Sequence, residues 1–377
     1  MKSISGEVLS LTQKLLSFNT INPPGQEKEC VDFLAERLEG ANFDVDTYEF
    51  SAGRPTLVAR LRGCGSELPL CYAGHIDTVP LGDSQWDREP FSGEVDGNRL
   101  YGRGASDMKG GIAACVVSAL EMAKHSNRKA DILLVIAAGE ETGCEGSAHL
   151  ASLDGVLGEA GGLVIAEPTS NKLYVGHKGT LWLELKTKGI AAHGSMPEKG
   201  INAIYPAADA VLKLKDIELG YPPHPVLGSA TLNVGVIAGG TKINIVPDQA
   251  LIHIDIRTVP GRTSEETIRH LINTLGPEVD INSILDLDPV ATDPGNEWVQ
   301  EVSAILSTRS GKPSPPKGLP YFTDAAVLTP AFDSVPTIIL GPGEAEMAHK
   351  KDEYCYISRL SEAVKIYTEI SRRWCKL

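Results

Sequence analysis

Two textures of apolar and polar positions alternate along this chain. In the first, uninterrupted apolar runs lie between segments of helical spacing. Val8, Leu11, Leu15 and Leu16 mark one face of a helix over residues 5–18. Asn22-Pro23-Pro24-Gly25 breaks it, and residues 27–38 predict a second amphipathic helix ending near Gly40. Strands follow at 45–50, 56–61 and 70–73, then an apolar, small-residue helix at 108–124, then strands at 131–138 and 163–166. The runs 70–73, 131–138 and 163–166 do not alternate, as in strands covered on both faces. Strand and helix in turn predict βαβ units.

The second texture begins near Gly179. Residues 181–186 carry polar side chains on one parity only, the mark of a sheet with one wet face. A helix at 201–214, extended chain at 230–237 and a strongly alternating strand at 250–258 follow. Next come a helix at 264–275, with Ser264 as N-cap and Glu265 and Glu266 in its first turn, and extended chain at 279–287. The order βαββαβ predicts a ferredoxin-like module. After about Pro289 the first texture returns. It gives a helix at 297–307, a proline-rich surface loop at 312–317, a strand at 337–340 closed by Gly341-Pro342-Gly343, and a terminal helix at 357–374. The predicted fold class is α/β: a sheet flanked by helices over residues 1–178 and 289–377, with an α+β module inserted at 179–288.

Chemistry gathers where the apolar runs stop. The segment Asp131–Ala138 leads directly to Glu140 and Glu141; 70–73 leads to His75 and Asp77; 163–166 leads to Glu167; and His349 lies a few residues past Gly343. Asp107 stands in the turn before the helix at 108–124. The carboxyl ends of parallel strands are where open α/β sheets bind ligands. Singly, each residue has an ordinary explanation. His75 suits a hydrogen-bonded core histidine, Asp107 an N-cap, Glu167 before Pro168 a solvated turn, and His349 an exposed loop with Lys350, Lys351, Asp352 and Glu353. Together, imidazole and carboxylate suit zinc or a similar divalent ion, whereas an all-oxygen set would suit magnesium or calcium. The set exceeds the need of one tetrahedral ion, so two ions roughly 3.5–4 Å apart, sharing a carboxylate, are the economical arrangement.

Composition narrows the classes. At 377 residues two domains are expected, and 42% hydrophobic with 22% charged residues is ordinary for a globular protein. The formal net charge of -14 argues against nucleic acid or an anionic membrane as partner, and part of it can be carboxylates that a cation neutralises. No apolar run reaches the roughly 20 residues of a membrane span, and the N-terminus has no basic-then-apolar signal pattern. The seven cysteines form no C-x-x-C pair, which fits reduced thiols and a cytoplasmic location. Internal repeats and low-complexity tracts are absent.

Three blocks then carry a resemblance: Gly74-His75-Ile76-Asp77-Thr78-Val79-Pro80, Gly102-Arg103-Gly104-Ala105-Ser106-Asp107-Met108-Lys109-Gly110-Gly111 and Glu140-Glu141-Thr142-Gly143. They are similar to the family of acetylornithine deacetylase and succinyl-diaminopimelate desuccinylase, which also holds zinc dipeptidases, aminopeptidases and glutamate carboxypeptidases. Ala166-Glu167-Pro168-Thr169 and Ala192-His193-Gly194-Ser195-Met196-Pro197 resemble two further blocks of that family. The segment from Leu340 through Ala348-His349 to Asp352-Glu353-Tyr354 looks closest to the acetylornithine deacetylase branch. The resemblance implies a zinc-exopeptidase-like mixed sheet with a lid and dimerisation module, two zinc ions (cobalt or manganese as substitutes), and a role in amino-acid biosynthesis. His75 and Glu167 would bind one ion, Glu141 and His349 the other, and Asp107 would bridge them. Asp77 would fix the tautomer of His75, and Glu140 would be the general base. His193 would donate to the oxyanion, from the partner subunit in a homodimer. Asn244 and Arg257 resemble positions that hold a substrate carboxylate. Arg257 shares strand parity with His253 and Asp255, however, so a solvated face also explains it. Thr323 and Asp324 would line the side-chain pocket.

The expected activity is removal of an acyl group from an N-acyl amino acid. Alternatives are a dipeptidase or carboxypeptidase on the same centre, acting on short peptides, and a non-catalytic binding protein on this fold. An oxidoreductase fits poorly, because the glycines at 102, 104, 110 and 111 miss G-x-G-x-x-G and do not open the first βα unit.

Overall fold

Strand direction decides where the chemistry of this protein can sit. The computed structural model describes residues 4–310 and 315–377. In chain order the elements begin with α1 (Ile4–Leu16), α2 (Lys28–Glu39), β1 (Asp44–Ser51), β2 (Arg54–Leu61), β3 (Glu67–His75), β4 (Val95–Asp96) and β5 (Arg99–Tyr101). Next come α3 (Lys109–Ala123), β6 (Ala130–Ala137), α4 (Glu145–Ala151), β7 (Gly162–Ile165), β8 (Tyr174–His177), β9 (Gly179–Lys188) and α5 (Ile204–Lys215). They continue with β10 (Thr231–Gly239), β11 (Gln249–Thr258), α6 (Ser264–Leu275), β12 (Val279–Leu287), β13 (Val290–Ala291) and α7 (Glu297–Ser310). The last are β14 (Lys317–Leu319), α8 (Ala325–Ala331), β15 (Thr337–Ile339), β16 (Tyr354–Tyr356) and α9 (Ile357–Trp374). The chain divides into two units: Met1–Gly176 with Thr292–Lys317 and Thr323–Leu377, and His177–Ala291 with Gly318–Phe322.

The first unit contains a mixed sheet in the order β1-β2-β6-β3-β7-β15-β8. β6, β3, β7 and β15 are mutually parallel neighbours; β2 and β8 run against them, and β1, antiparallel to β2, shares the direction of the four. The parallel strands are the runs that lack alternation, and their interiors are buried throughout. Helices α1, α3 and α9 pack on one another. Tyr72 of β3 ties the sheet to α9 by hydrogen bonds at 2.9 Å to the Tyr367 carbonyl and 2.8 Å to the Ser371 hydroxyl. Four parallel strands therefore end on one edge, with His75 closing β3 and Glu140, Glu167 and Gly341 just beyond the other three.

The second unit is a four-stranded antiparallel sheet in the order β10-β11-β9-β12, the ferredoxin-like arrangement, with α5 and α6 supplying side chains to the core on one face. The alternating burial along β9 and β11 matches one dry and one wet face. One capping detail differs from expectation. Thr263, not Ser264, is the N-cap of α6: its hydroxyl accepts from Glu266 N and the Glu266 carboxylate accepts from Thr263 N, a capping box. Ser264 is already helical and donates its hydroxyl to Asp286 at 2.6 Å. Short elements escaped the pattern, among them α4, α8 with Pro330 inside it, β8 and the small sheet β16-β5-β4. Each is too short for periodicity to register. Of the expected loop at 312–317, residues 312–314 lie outside the described residues, and Lys317 opens β14.

His177, at the end of β8, is fully buried, with Nδ1 bonded to the Lys178 carbonyl at 2.8 Å and Nε2 without a hydrogen-bond partner among the described residues. Burial holds its imidazole down at about 4. An unfolded imidazole titrates near 6.5, so between these values only the unfolded chain takes up the proton, and stability falls with pH at up to about 1.4 kcal/mol per unit. Urea unfolding of the wild type and of His177→Asn at pH values of about 6.5 and 4.5 should show the wild type losing roughly 2 kcal/mol more across that window.

Candidate metal centre

The site is assembled from four strand ends and two loops of the first unit. β3 delivers His75, and Gly74 before it leaves room for the Met108 side chain: a Cβ there would stand 2.2 Å from Met108 Cε. After β6 the chain turns at Gly139, with φ of 76°, and the backbone N–H groups of Glu140 and Glu141 donate to Asp77 Oδ1 at 3.1 Å and Oδ2 at 3.2 Å. This anchors the two glutamates while their side chains diverge. β7 delivers Glu167, which is buried. The loop after β15 passes Gly343, whose Cβ position lies 2.1 Å from the Ser106 carbonyl, and brings in His349 with φ of 63°.

The donor atoms converge. His75 Nε2 lies 3.3 Å from Asp107 Oδ1, 3.6 Å from Glu167 Oε1 and 3.9 Å from Glu140 Oε2. His349 Nε2 lies 3.3 Å from Asp107 Oδ2 and 3.2 Å from Glu141 Oε2. Each oxygen of Asp107 thus faces a different imidazole. Asp107 is not an N-cap: Met108 occupies that position of α3, without a side-chain cap. His75 Nδ1 donates to the backbone carbonyl of Asp77 at 3.0 Å, closer than its carboxylate Oδ1 at 3.5 Å. Either contact leaves the Nε2 lone pair facing the acids.

Electrostatics argue for added positive charge. Burial pushes the Glu140 carboxyl well above the ordinary range; His75 opposes this, and Glu167 and Glu141 add to it. Glu167 is raised well above that range by burial and by Asp107, and Glu141 is raised mainly by burial. Burial alone would lower the His75 pKa, but the adjacent carboxylates, Asp107 and Asp77 foremost, drive it well above normal. Asp107 and Glu141 raise His349 to about 10. For Asp107 the two histidines outweigh burial and hold its pKa down. Two buried oxygens, Asp107 Oδ1 and Glu141 Oε1, make no hydrogen bond among the described residues. Ligand atoms of His75, Asp107 and Glu141 lie within 4.8 Å of one another. The donor set fits divalent cations of the zinc type.

The remaining candidates stand as follows. His193 is exposed on the second unit, with Nδ1 paired to the Ser195 hydroxyl at 2.6 Å. Asn244 is its neighbour: His193 bridges Ile245, and Gly194 N donates to the Asn244 carbonyl at 2.8 Å. Arg257 is engaged on its own sheet, donating to Thr180 Oγ1 at 2.7 Å and to Asp255 Oδ2 at 3.0 Å. Thr323 is fully buried, its hydroxyl accepting from Ala325 N at 3.1 Å. Asp324 is buried too, accepts from the Ser147 hydroxyl at 2.7 Å, and is raised to about 6, chiefly by burial. Sequence reasoning missed Asn22, whose Nδ2 donates to Asp77 Oδ2 at 2.8 Å and to the Thr142 hydroxyl at 2.9 Å. Its only signal was an asparagine held in a Pro-Pro-Gly break. Glu353, expected in an exposed loop, is fully buried.

Residues 71–373 match peptidase family M20/M25/M40. A protein of Staphylococcus epidermidis named "Probable succinyl-diaminopimelate desuccinylase" is 32% identical over 92% of this chain and 93% of its own. The acetylornithine deacetylase of Aliivibrio fischeri is 29% identical over 96% of this chain and 97% of its own. Among solved structures, an M20 family metallo-carboxypeptidase from Sulfolobus solfataricus superposes with a TM-score of 0.82 at 20% identity, covering 98% of this chain and 100% of that one. The chain belongs to peptidase family M20/M25/M40 and is a metal-dependent hydrolase of amide bonds.

Proposed function

We propose that the protein removes an acyl group from an N-acyl amino acid with two zinc ions, acetylornithine and succinyl-diaminopimelate being the leading substrates. The observation that carries the two-ion reading is Asp107, whose oxygens face His75 and His349 at 3.3 Å each. His75 and Glu167 would hold one ion, Glu141 and His349 the other, and Asp107 both. Bound there, the ions would polarise the amide carbonyl and lower the pKa of a water. Glu140, buried at the same rim and raised in pKa, suits the base that takes a proton from that water and returns it to the departing amine. Asp77, fixed by Asn22 and two backbone N–H groups, keeps His75 oriented. His193 is assigned the oxyanion donor and Asn244 the substrate carboxylate. Arg257 joins Asn244 by exchanging Asp255 for the substrate. Residues 179–288 would serve as lid and dimerisation module.

A homodimer is supported by the second unit's own surface. Strand β10 is a sheet edge with Val236 and Ile237 exposed, and α5 exposes Tyr205 and Leu212. Exposed edges and apolar patches are otherwise liabilities. Light scattering should report twice the mass of the 377-residue chain, and a monomer would remove this reading.

Two further outcomes test the chemistry. With zinc restored, the enzyme should cleave an N-acetyl or N-succinyl amino acid faster than dipeptides, and Glu140→Gln should keep its metal yet lose roughly 10²–10⁴-fold or more in kcat. Faster dipeptide cleavage would overturn the deacylase assignment, and an active Glu140→Gln the base assignment. Because His75 and His349 are raised, both are protonated in the metal-free protein near neutrality and must release protons to bind metal. Zinc affinity should therefore strengthen as pH rises towards about 10, the value for His349, and zinc addition in weak buffer should acidify the solution.

A further inference from the structure

The loop Gly102-Arg103-Gly104-Ala105-Ser106-Asp107 turns backbone N–H groups inward, and one side chain collects them. Glu353 Oε1 accepts from Ser106 N at 2.8 Å and Asp107 N at 2.9 Å. Its Oε2 accepts from Gly104 N at 3.0 Å and from Arg103 Nη1 at 2.8 Å. Both residues are buried, Glu353 at 0% and Arg103 at 1% exposure. The Glu353 carbonyl accepts from Gly102 N at 2.9 Å, and the Ser106 hydroxyl donates to the Tyr354 carbonyl at 2.7 Å. Arg103 donates onward to the Lys350 carbonyl at 3.3 Å and the Pro80 carbonyl at 3.2 Å, with its guanidinium over Trp86. A carboxylate taking four donors, one of them charged, is held far more firmly than a surface pair.

This cluster joins the two segments that carry Asp107 and His349. Glu353 bonds the backbone N–H of Asp107 itself, and Arg103 fixes the carbonyl of the residue after His349. The His349 side chain is 55% exposed and its backbone left-handed, and beyond the Glu353 cluster its loop is tied mainly near the surface, where Asp352 Oδ1 accepts from Asp87 N at 2.9 Å and Arg88 N at 3.2 Å. His75, in contrast, ends strand β3 and Glu167 lies just past β7, two strands that pair with each other. We propose that Glu353 is a positioning residue: it aligns Asp107 with His349, so that the cation position they share with Glu141 forms only while its carboxylate is in place. The proposal rests on the two-ion reading above and concerns one position more than the other.

Zinc titration of the apoprotein against a chromophoric chelator tests this by counting equivalents. The wild type should bind two. Glu353→Gln keeps the size of the side chain but turns an amide N–H₂ towards donors; it should hold the first equivalent within about threefold and the second roughly 10–100-fold more weakly. Wild-type affinity for both equivalents in the variant would overturn the positioning role. Equal weakening of both would overturn it too, marking Glu353 as a general support of the fold. A single equivalent in the wild type would overturn the two-ion reading and the proposal with it, before any variant is made. If Glu353→Gln yields no folded protein, Arg103→Lys, which keeps the charge and loses the fork, is judged by the same counts.

Discussion

Mutual repulsion among buried carboxylates is the constraint on which this structure turns. Asp77, Asp107, Glu140, Glu141 and Glu167 crowd one rim of the sheet, with His75 and His349 as the opposing charges in their midst. In a low-dielectric setting such a group either neutralises itself with protons or recruits cations. The raised Glu140, Glu141 and Glu167 carboxyls and the raised imidazoles are the proton solution; divalent ions are the chemical one. The fold tolerates the crowding because strand pairing and helix packing elsewhere in the unit hold the ends in place.

Placement is enforced by backbone as much as by side chains. Asp77 does not merely follow His75: its carboxylate receives the amides of Glu140 and Glu141, which sets where two glutamates can point. Asn22 completes that arrangement from 55 positions earlier in the chain. Gly74 and Gly343 admit neighbours where a Cβ would collide, so loops close to the distances a bridging carboxylate needs. Glu353 does for the Asp107 loop what Asp77 does for the Glu140 turn. In each case one buried acid gathers amide donors and fixes a neighbouring acid's backbone.

The second unit follows ordinary sheet logic. Its dry face is Leu181, Leu183, Leu185, Ile252, Ile254 and Ile256, and its wet face carries Glu184, His253, Asp255 and Arg257. That wet face satisfies Arg257 locally through Asp255 and Thr180, the arrangement that its strand parity alone accounts for.

By itself the sequence determined the class of fold, because long apolar runs and alternating strands respond to burial that is nearly local: β3, β6, β7, β9 and β11 each announce their faces. It also singled out His75, Glu141, Glu167 and His349, ligand-type residues that follow the ends of buried strands, and Asp107 in the turn before a helix. Tertiary structure alone decided that β6, β3, β7 and β15 are parallel neighbours, and so that these residues meet. It alone decided that Thr263 caps α6 and that Glu353, in a run of charged residues, is buried. It alone joined Asn22 to Asp77 across 55 positions of chain. Hydrophobic periodicity reports which face of an element leaves water; it carries no record of which distant amide a buried carboxylate will find.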